Sequence, residues 1–313
     1  MLSLTHETIL SVLRAVATQH GKAKHTEMLP SAGTPERTGL INAVSHLFGA
    51  RSVALPDTSI TLGEWAQALI DHTDIEYLNL HDTTSSAFCD RLQRCYRHTA
   101  ATLNQEAKAL QAMLALPEAQ ERRLISWLSL QSVSGFVLGA LLPQEAGWQA
   151  RSLFDNANAL WELTTGDVIA TDSQRWRQLA ARLPALPDGI TAITTTPLDA
   201  ATRQTLEQKG VADIVELYSE PALGVIAARR SPDAPFELLT HWHPTESHNY
   251  LLRLAPGSAM QEVKLAEPLE WVGARSFERS GAGSLWPGCA SIQASSQSSR
   301  RYPAGSAHNV SAA

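Results

Sequence analysis

The stretch from Gly166 to Gly224, GDVIATDSQRWRQLAARLPALPDGITAITTTPLDAATRQTLEQKGVADIVELYSEPALG, decides the fold class. Its apolar runs DVIAT, ITAITT and ADIVEL are short and rich in β-branched residues, which predicts three strands. Two helical segments separate these strands. Ser173 is the expected N-cap of the first helix, and the second is expected to begin at Asp199 and to stop at Gly210. Alternating strands and helices indicate an α/β fold with a largely parallel sheet.

The rest of the chain extends this pattern on both sides. Helices are expected near residues 5–20 and 36–49 and after Thr61 as an N-cap, so residues 1–74 form a helical segment of the same domain. An α/β domain follows over 75–278. Its other expected strands are IEYLNL and RLISWLSL, and residues 85–114 predict one long helix or two. After Gly224 the runs VIAARR, FELL, YLLRL and EVKLAEPLEWV predict an antiparallel β layer.

The composition changes abruptly after the α/β part. Residues 279–313 contain no acidic residue, and 20 of these 35 positions are Ser, Ala or Gly. Such a segment buries too little apolar surface to offset the entropy of ordering it. We expect a disordered tail, and its composition is typical of a frame-shifted or replaced C-terminus.

The bulk composition excludes several functional classes. A net charge of -6 with 44% hydrophobic residues describes an ordinary globular protein, without the basic excess that would favour nucleic acid or an anionic membrane as partner. Nothing reaches the run of about 18 apolar residues that a spanning helix needs. Cys89, Cys95 and Cys289 offer no CxxC pair, which favours reduced thiols and a cytoplasmic protein. Cys89 and Cys95 are expected to be buried on a helix.

Three stretches, in the same order, resemble the adenylate-forming (AMP-binding) superfamily that contains acyl-CoA synthetases and aryl-CoA ligases such as 4-coumarate ligases. The opening stretch is similar to the family's strand, helix, S-S-T-A-P-L turn, helix and Y-G-S-T-E-T-G loop. RLISWLSLQSVSGFVLGALLP is similar to its acyl-pocket strand and helix, and LAEPLEWVGARSFERSG to the strand before its hinge. The resemblance covers roughly residues 75 to 280. It implies the family's large N-terminal domain, with a small β layer and without the C-terminal lid, because the G-R-x-D hinge does not follow Phe277.

The resemblance also implies a reaction and a set of site residues. Family members use ATP and Mg²⁺ to convert a carboxylic acid to an acyl-adenylate, and then transfer the acyl group to the thiol of CoA or of an acyl carrier protein. The residues that match the nucleotide-binding motifs are Thr194, Thr195, Thr196, Pro197, Tyr218, Ser219, Gly224 and Glu267. The residues that match the acyl-pocket motif are Gln131, Ser132 and Gly135. From the residues alone, the threonines also fit a strand-end turn, and Tyr218 also fits a core position.

The sequence departs from the family where phosphate and metal should bind. The glycine-rich phosphate loop falls on Ser86–Arg94, where Phe88 and Arg91 replace glycines and Asp90 adds a negative charge. Only glycine lets the main chain approach phosphates closely. Ala222 replaces the glutamate that holds magnesium, and Glu220 could substitute only if the loop is rebuilt. We therefore carry two hypotheses: a ligase homologue with impaired or lost activity, and a non-catalytic binding or interaction protein derived from that fold.

A histidine cluster offers a separate possibility. On a strand, His241 and His243 would point to the same face, with His248 nearby, a pattern typical of zinc ligands. With 11 histidines in the chain, such a cluster is expected by chance. We therefore interpret the three histidines as solvated loop residues and assign no metal site. Glu106 is interpreted as part of an ordinary amphipathic helix.

Overall fold

The computed structural model describes residues 4–19, 28–49, 61–72, 75–82, 94–115, 122–257 and 260–279. The expected disordered tail from residue 280 onward lies outside the described residues. So does the phosphate-loop match up to residue 93, which leaves Arg94 as the only described residue of that loop.

Three helices open the described chain, as the sequence predicts: α1 (His6–Gln19), α2 (Pro35–Leu47) and α3 (Leu62–His72). The predicted cap of α3 is confirmed. Thr61 Oγ1 accepts from the Glu64 N–H at 3.1 Å, while the Glu64 carboxylate accepts from the Thr61 N–H at 2.7 Å. This reciprocal pair satisfies two N–H groups that the helix cannot bond internally. The buried side chains of α1, α2 and α3 pack in the same apolar cluster as the side chains on one face of the central sheet.

The segment 85–114 differs from its expected helical structure. Cys95–Thr99 forms strand β2, which pairs antiparallel with β1 (Tyr77–His81), and only α4 (Ala100–Leu114) is helical, with Thr99 as its N-cap. The prediction that Cys95 is buried on a helix is therefore wrong, because Cys95 is exposed on β2. The run CYRHT has no strong period of its own, and its pairing with β1 decides its conformation.

A nine-stranded sheet forms the centre of the molecule and confirms the α/β fold class. Its strands are β3 (Arg123–Ser126), β4 (Gln149–Ser152), β5 (Val168–Thr171), β6 (Ile190–Thr194), β7 (Val211–Glu220), β8 (Gly224–Arg229), β9 (Phe236–Leu238), β13 (Leu269–Trp271) and β14 (Ser276–Arg279). In spatial order they are β13-β14-β9-β8-β7-β6-β5-β3-β4. Each neighbouring pair from β4 to β7 is parallel, and each neighbouring pair from β7 to β13 is antiparallel.

The expected antiparallel layer after Gly224 is divided in the structure. Strands β8, β9, β13 and β14 extend the large sheet, and a separate antiparallel sheet contains β10 (Trp242–Pro244), β11 (Tyr250–Leu254) and β12 (Met260–Lys264). The strand pattern was therefore correct, while the assignment of strands to sheets required pairings between distant segments.

Alternating side chains bury both faces of the parallel strands. Ile169 and Ala192 face one apolar cluster, and their neighbours Val168 and Ile193 face the other. This alternation follows from the two-residue period of a strand. The other helices of the described residues are α5 (Val133–Phe136), α6 (Leu142–Ala146), α7 (Ser173–Arg182) and α8 (Ala200–Gln208), with a π-helical turn over Val137–Leu141 between α5 and α6 and a 3₁₀ helix over Ala157–Leu160.

The ends of α7 and α8 test the predicted caps. Asp172, not Ser173, caps α7, because its Oδ1 accepts from the Arg175 N–H at 2.8 Å and Ser173 is the first helical residue. Asp199 caps α8 as predicted, with 2.8 Å between Oδ1 and the Thr202 nitrogen. Gly210 follows that helix with φ of 103°, a conformation that favours glycine. Among the described residues, no helix is long and apolar enough to cross a membrane.

Candidate functional site

The turn after β6 lies at the carboxyl ends of the parallel strands, the edge where α/β sheets bind ligands. Thr194 Oγ1 donates to the Thr196 carbonyl oxygen at 2.6 Å, and Thr196 Oγ1 donates to Ser173 Oγ at 2.8 Å. The Thr195 N–H donates to the Thr171 carbonyl oxygen, and Pro197 is exposed. The hydroxyls of Thr194 and Thr196 thus close the turn onto the start of α7. Nucleotide binding by this turn stays a prediction.

Tyr218 lies inside the core on β7. Its side chain is fully buried, and its ring centroid is 5.8 Å from that of Phe236 and 5.4 Å from that of Phe277. Burial, the largest cause, and the nearby carboxylate of Glu220 raise the pKa of the phenol. The structure therefore places Tyr218 in the core position that was one of its two interpretations. Stacking on adenine would require the neighbouring side chains to move.

The turn between β7 and β8 holds Glu220 below the surface. Glu220 is 5% exposed, and the Ala266 N–H donates to its carboxylate at 3.0 Å from Oε1 and 3.2 Å from Oε2. Burial raises the pKa of Glu220 to about 7, against the opposing effect of the Ala266 hydrogen bond. Ser219 is buried beside it, whereas Ala222 is exposed at the tip of the turn.

Glu267 is adjacent to this buried carboxyl. Its Oε2 lies 3.0 Å from Arg279 Nη2, and its charge contributes to the raised pKa of Glu220. The structure thus brings together Tyr218, Glu220 and Glu267, three of the residues selected from the sequence. All three side chains already have protein partners: Glu220 for the Tyr218 hydroxyl, the Ala266 N–H for Glu220, and Arg279 for Glu267.

Gly224 ends the turn in the left-handed region, with φ of 84°. A Cβ there would lie 2.0 Å from Glu106 Oε2, so the backbone and that carboxyl are in close approach. The Val225 N–H donates to Glu106 Oε1 at 2.9 Å. Glu106 is fully buried. Burial raises its pKa to about 7, while Arg253 and the Val225 hydrogen bond act in the lowering direction.

Two further side chains hold the same turn. His98 Nε2 lies 3.0 Å from the Pro221 carbonyl oxygen, and Arg253 Nη1 donates to the Leu223 carbonyl oxygen at 3.3 Å. Burial lowers the pKa of His98 to about 4, so the ring is neutral at pH 7. Glu106, His98 and Arg253 therefore connect α4, β2 and β11 to the β7–β8 turn.

Sequence reasoning missed these three residues as site components. Glu106 carried a signal, because it lies on the buried stripe of α4 with Leu103, Ala107 and Leu110, where an acidic residue needs a partner. Its partner, Val225, is 119 positions away, so no local pattern could identify the contact.

Hydrogen bonds to main-chain groups position the residues of the acyl-pocket motif. Ser132 caps α5, because its Oγ accepts from the Gly135 N–H at 3.1 Å and donates to the Ser129 carbonyl oxygen at 2.7 Å. A Cβ on Gly135 would lie 1.9 Å from that same oxygen, so this position requires glycine. The carbonyl oxygen of Gln131 accepts from the His81 N–H at 2.8 Å. The motif thus lies beside the end of β1, just before the segment that matches the phosphate loop.

The three histidines do not form the arrangement typical of zinc. Only His243 is on a strand, and His248 Nδ1 lies 2.6 Å from the Leu269 carbonyl oxygen. His241 precedes β10 and is 3% exposed, so it is not a solvated loop residue. Burial, followed by Arg253, lowers its pKa to about 3. Within the described ranges, no group of three His, Cys, Asp or Glu side chains could hold a metal ion.

Comparison with known proteins finds sequence relatives among the 4-coumarate--CoA ligases. No family model matches the chain. It is 28% identical over 257 residues to a 4-coumarate--CoA ligase of Halorhodospira halophila, covering 80% of this chain and 63% of the relative. It is 26% identical over 255 residues to a 4-coumarate--CoA ligase of Rhodobacter capsulatus, covering 76% and 62%. The chain thus spans less than two thirds of the length of these relatives.

A solved structure supports the same fold. The acyl-CoA synthetase (AMP-forming)/AMP-acid ligase II-like protein of Dyadobacter fermentans superposes with a TM-score of 0.51 at 15% identity, covering 70% of this chain and 63% of that protein. The fold is that of the large N-terminal domain of adenylate-forming ligases. These similarities confirm the resemblance to the adenylate-forming superfamily that the sequence motifs indicated.

Proposed function

We propose that this protein is an acyl-CoA or aryl-CoA (or acyl-carrier-protein) ligase homologue in which carboxylate activation is impaired or lost. In the parent reaction, a carboxylate oxygen attacks the α-phosphorus of ATP and pyrophosphate leaves, which gives an acyl-adenylate. A thiol then attacks the acyl carbon and AMP leaves. Mg²⁺ would neutralise the charge of the phosphates, and the reduced state expected for the cysteines supports a cytoplasmic protein.

One observation carries the proposed impairment. Ala222 stands where the family motif has its magnesium-holding glutamate, and the nearest carboxyl in the turn, Glu220, is 5% exposed and bonded to the Ala266 N–H. With a pKa of about 7, Glu220 is partly protonated at neutral pH. A carboxyl that is buried, partly neutral and already bonded is a weak ligand for a hard cation.

The second candidate function is a non-catalytic binding or interaction protein. The burial of Tyr218 favours it, because the ring that would stack on adenine packs against Phe236 and Phe277. Under this hypothesis the turn after β6 and the β7–β8 turn are structural, which agrees with the internal hydrogen bonds of Thr194 and Thr196.

Pyrophosphate exchange tests the proposal. The protein is incubated with ATP, Mg²⁺, labelled pyrophosphate and a panel of aromatic and aliphatic carboxylic acids, with the Halorhodospira 4-coumarate--CoA ligase and 4-coumarate as the positive control. We expect exchange at least about a hundredfold below the control, the scale of loss when one charge-stabilising group is removed from an active site. Exchange within tenfold of the control would show intact activation and overturn the proposed impairment.

A stable acyl-adenylate analogue separates the two hypotheses. A non-hydrolysable acyl-sulfamoyl adenosine contains the adenosine and acyl groups of the intermediate, so a residual ligase site should bind it more tightly than AMP. Binding that AMP displaces supports the ligase homologue. Absence of binding at millimolar analogue supports the non-catalytic alternative.

A further inference from the structure

The β7–β8 turn is held by side chains from four other elements of the fold. Glu106 on α4, His98 on β2 and Arg253 on β11 contact its main chain. Trp242 on β10 adds a fourth contact, because its indole N–H donates to the Val225 carbonyl oxygen at 3.0 Å. Val225 therefore bonds to Glu106 through its N–H and to Trp242 through its carbonyl group, so a displacement of this residue changes both contacts.

Glu106 can change its charge near neutral pH. Burial, the largest cause, raises its pKa to about 7. Its Oε1 accepts from the Val225 N–H, whereas its Oε2 is buried without a hydrogen-bond partner among the described residues. Ionisation therefore places a charge on a carboxylate with one unsolvated oxygen, which is costly. The Gly224 backbone lies against that oxygen, so water can reach it when the turn moves.

Arg253 supplies the positive charge that lowers the pKa of Glu106, against the effect of burial. Its guanidinium is already engaged, because Nη1 donates to the Leu223 carbonyl oxygen and Nη2 to the Thr102 carbonyl oxygen, each at 3.3 Å. An ionised Glu106 attracts this group more strongly than a neutral one does. Ionisation thus opposes two contacts of the turn: the Glu106 contact through the cost of a buried charge, and the Leu223 contact through competition for Arg253.

The other titratable groups on the elements that pack against Glu106 do not offset its charge. Burial lowers the pKa of His98 on β2 to about 4 and that of His241 before β10 to about 3, so both rings are neutral at pH 7. The exposed Lys108 on α4 lies 3.8 Å from Glu145 on α6, at the surface. Glu220, at the other end of the turn, is a second buried carboxyl with a pKa of about 7, and its ionisation adds negative charge over the same pH range.

We propose that Glu106 is a pH-dependent switch for the β7–β8 turn. The neutral carboxyl holds the Val225 N–H and leaves Arg253 on the Leu223 carbonyl oxygen. When Glu106 ionises, its proton passes to solvent and the turn loosens from α4. The folded-state pKa of Glu106 lies above the ordinary value of 4.5, so the closed turn is favoured at low pH and this preference is lost as the pH rises through about 7. The switch does not depend on ligase activity.

NMR of the tryptophan indole groups tests the proposal, because Trp242 reports on Val225. Trp176 is the matched reference, since it is equally buried and its indole N–H donates to the Ile193 carbonyl oxygen, also at 3.0 Å. From about pH 5.5 to about pH 8.5 we expect the Trp242 signal to move with a midpoint near pH 7. The Trp176 signal should not move. A Trp242 signal that does not move, or that moves together with Trp176, would overturn the proposal.

A matched pair of variants assigns the titration to one carboxyl. Glu106→Gln keeps an oxygen for the Val225 N–H and cannot ionise, so the Trp242 signal should become independent of pH. Glu207→Gln removes a glutamate of α8 whose side chain is 55% exposed, and its Trp242 signal should move as in the wild type. A shift that persists in Glu106→Gln would come from another group, such as the neighbouring His243, and would exclude Glu106 as the switch.

Hydrogen exchange in the wild type tests the same switch without a substitution. The reference amide is that of Thr191, which donates to the Asp167 carbonyl oxygen at 3.0 Å in the central sheet. The protection factor of the Val225 amide, divided by that of Thr191, should fall about tenfold from about pH 5.5 to about pH 8.5. This ratio removes the effect of pH on the intrinsic exchange rates. A fall of less than about threefold would contradict a turn that loosens when Glu106 ionises.

Discussion

The Glu106 carboxyl on α4 accepts a hydrogen bond from the Val225 N–H at 2.9 Å and thereby joins two segments that are 119 residues apart. The contact links the helix after the phosphate-loop match to the turn that resembles the nucleotide loop of the ligases. His98 and Arg253 hold the same turn through the carbonyl oxygens of Pro221 and Leu223. The β7–β8 turn is therefore fixed from the protein interior.

The raised pKa of Glu106 predicts a pH dependence of stability. Its folded-state pKa of about 7 exceeds the ordinary value of 4.5, so the native state binds this proton more tightly than the unfolded state does. The resulting stabilisation is complete below about pH 4.5 and is lost as the pH rises to about 7. Glu106→Gln keeps an acceptor for the Val225 N–H and does not titrate.

Urea unfolding at pH 5 and pH 8 measures this difference. The free energy of unfolding of Glu106→Gln, relative to the wild type, should be higher at pH 8 than at pH 5 by up to about 3 kcal/mol, since one pKa unit corresponds to about 1.4 kcal/mol. Glu220 shifts in the same direction but is present in both proteins, so the comparison isolates Glu106. A difference that does not change with pH would contradict the assignment.

A side chain at Gly224 is expected to destabilise the folded state more than one at Gly33. Gly33 and Gly224 both have positive φ, 78° and 84°, but a Cβ at Gly33 meets nothing within 4 Å while one at Gly224 meets the Glu106 carboxyl. Gly33→Ala should cost about 1 kcal/mol from backbone strain alone. Gly224→Ala should cost about 1–3 kcal/mol more, from overpacking. Chemical denaturation compares the two, and equal losses would refute the close approach.

Tyr218 should behave as a core residue. Tyr218→Ala removes a fully buried ring that packs on Phe236 and Phe277, so we expect a loss of about 3–5 kcal/mol in the free energy of unfolding. Tyr218→Phe retains the ring and should lose no more than about 1–2 kcal/mol. Thermal and urea unfolding of both variants test this. A stable Tyr218→Ala protein would place the ring outside the core.

The strands and helices of the α/β part could be predicted from the sequence because they depend on local patterns of residues. In residues 166–224 the strands are rich in β-branched residues, and the spacing of apolar residues in the helices matches the faces that are buried in the structure. Asp199 and Gly210 mark the ends of α8 as predicted. Cys95–Thr99 was mispredicted because its strand conformation depends on pairing with β1. The division of the late strands between two sheets also depended on distant partners, such as Phe277 opposite Phe236.

The candidate site was predictable only in its positions. The family resemblance selected Tyr218 and Glu267 from separate motifs and Glu220 as a possible substitute for the missing glutamate, and the structure brings the three together. Their environments could not be predicted, because the burial of Tyr218 and the hydrogen bond of Glu220 involve β9, β14 and Ala266. The buried carboxyl of Glu106 would have required knowledge of Val225 as its partner.

We infer that the β7–β8 turn provides no carboxylate for magnesium. Isothermal titration with ATP tests this most directly, once in the presence of Mg²⁺ and once in the presence of EDTA. AMP serves as the reference ligand. We expect either no ATP binding or an affinity that changes by less than about threefold with Mg²⁺. Ala222→Glu, an exposed position, is the matched variant that adds the missing carboxylate. Wild-type ATP binding that is at least tenfold tighter with Mg²⁺ and is lost in Glu220→Gln would contradict the claim.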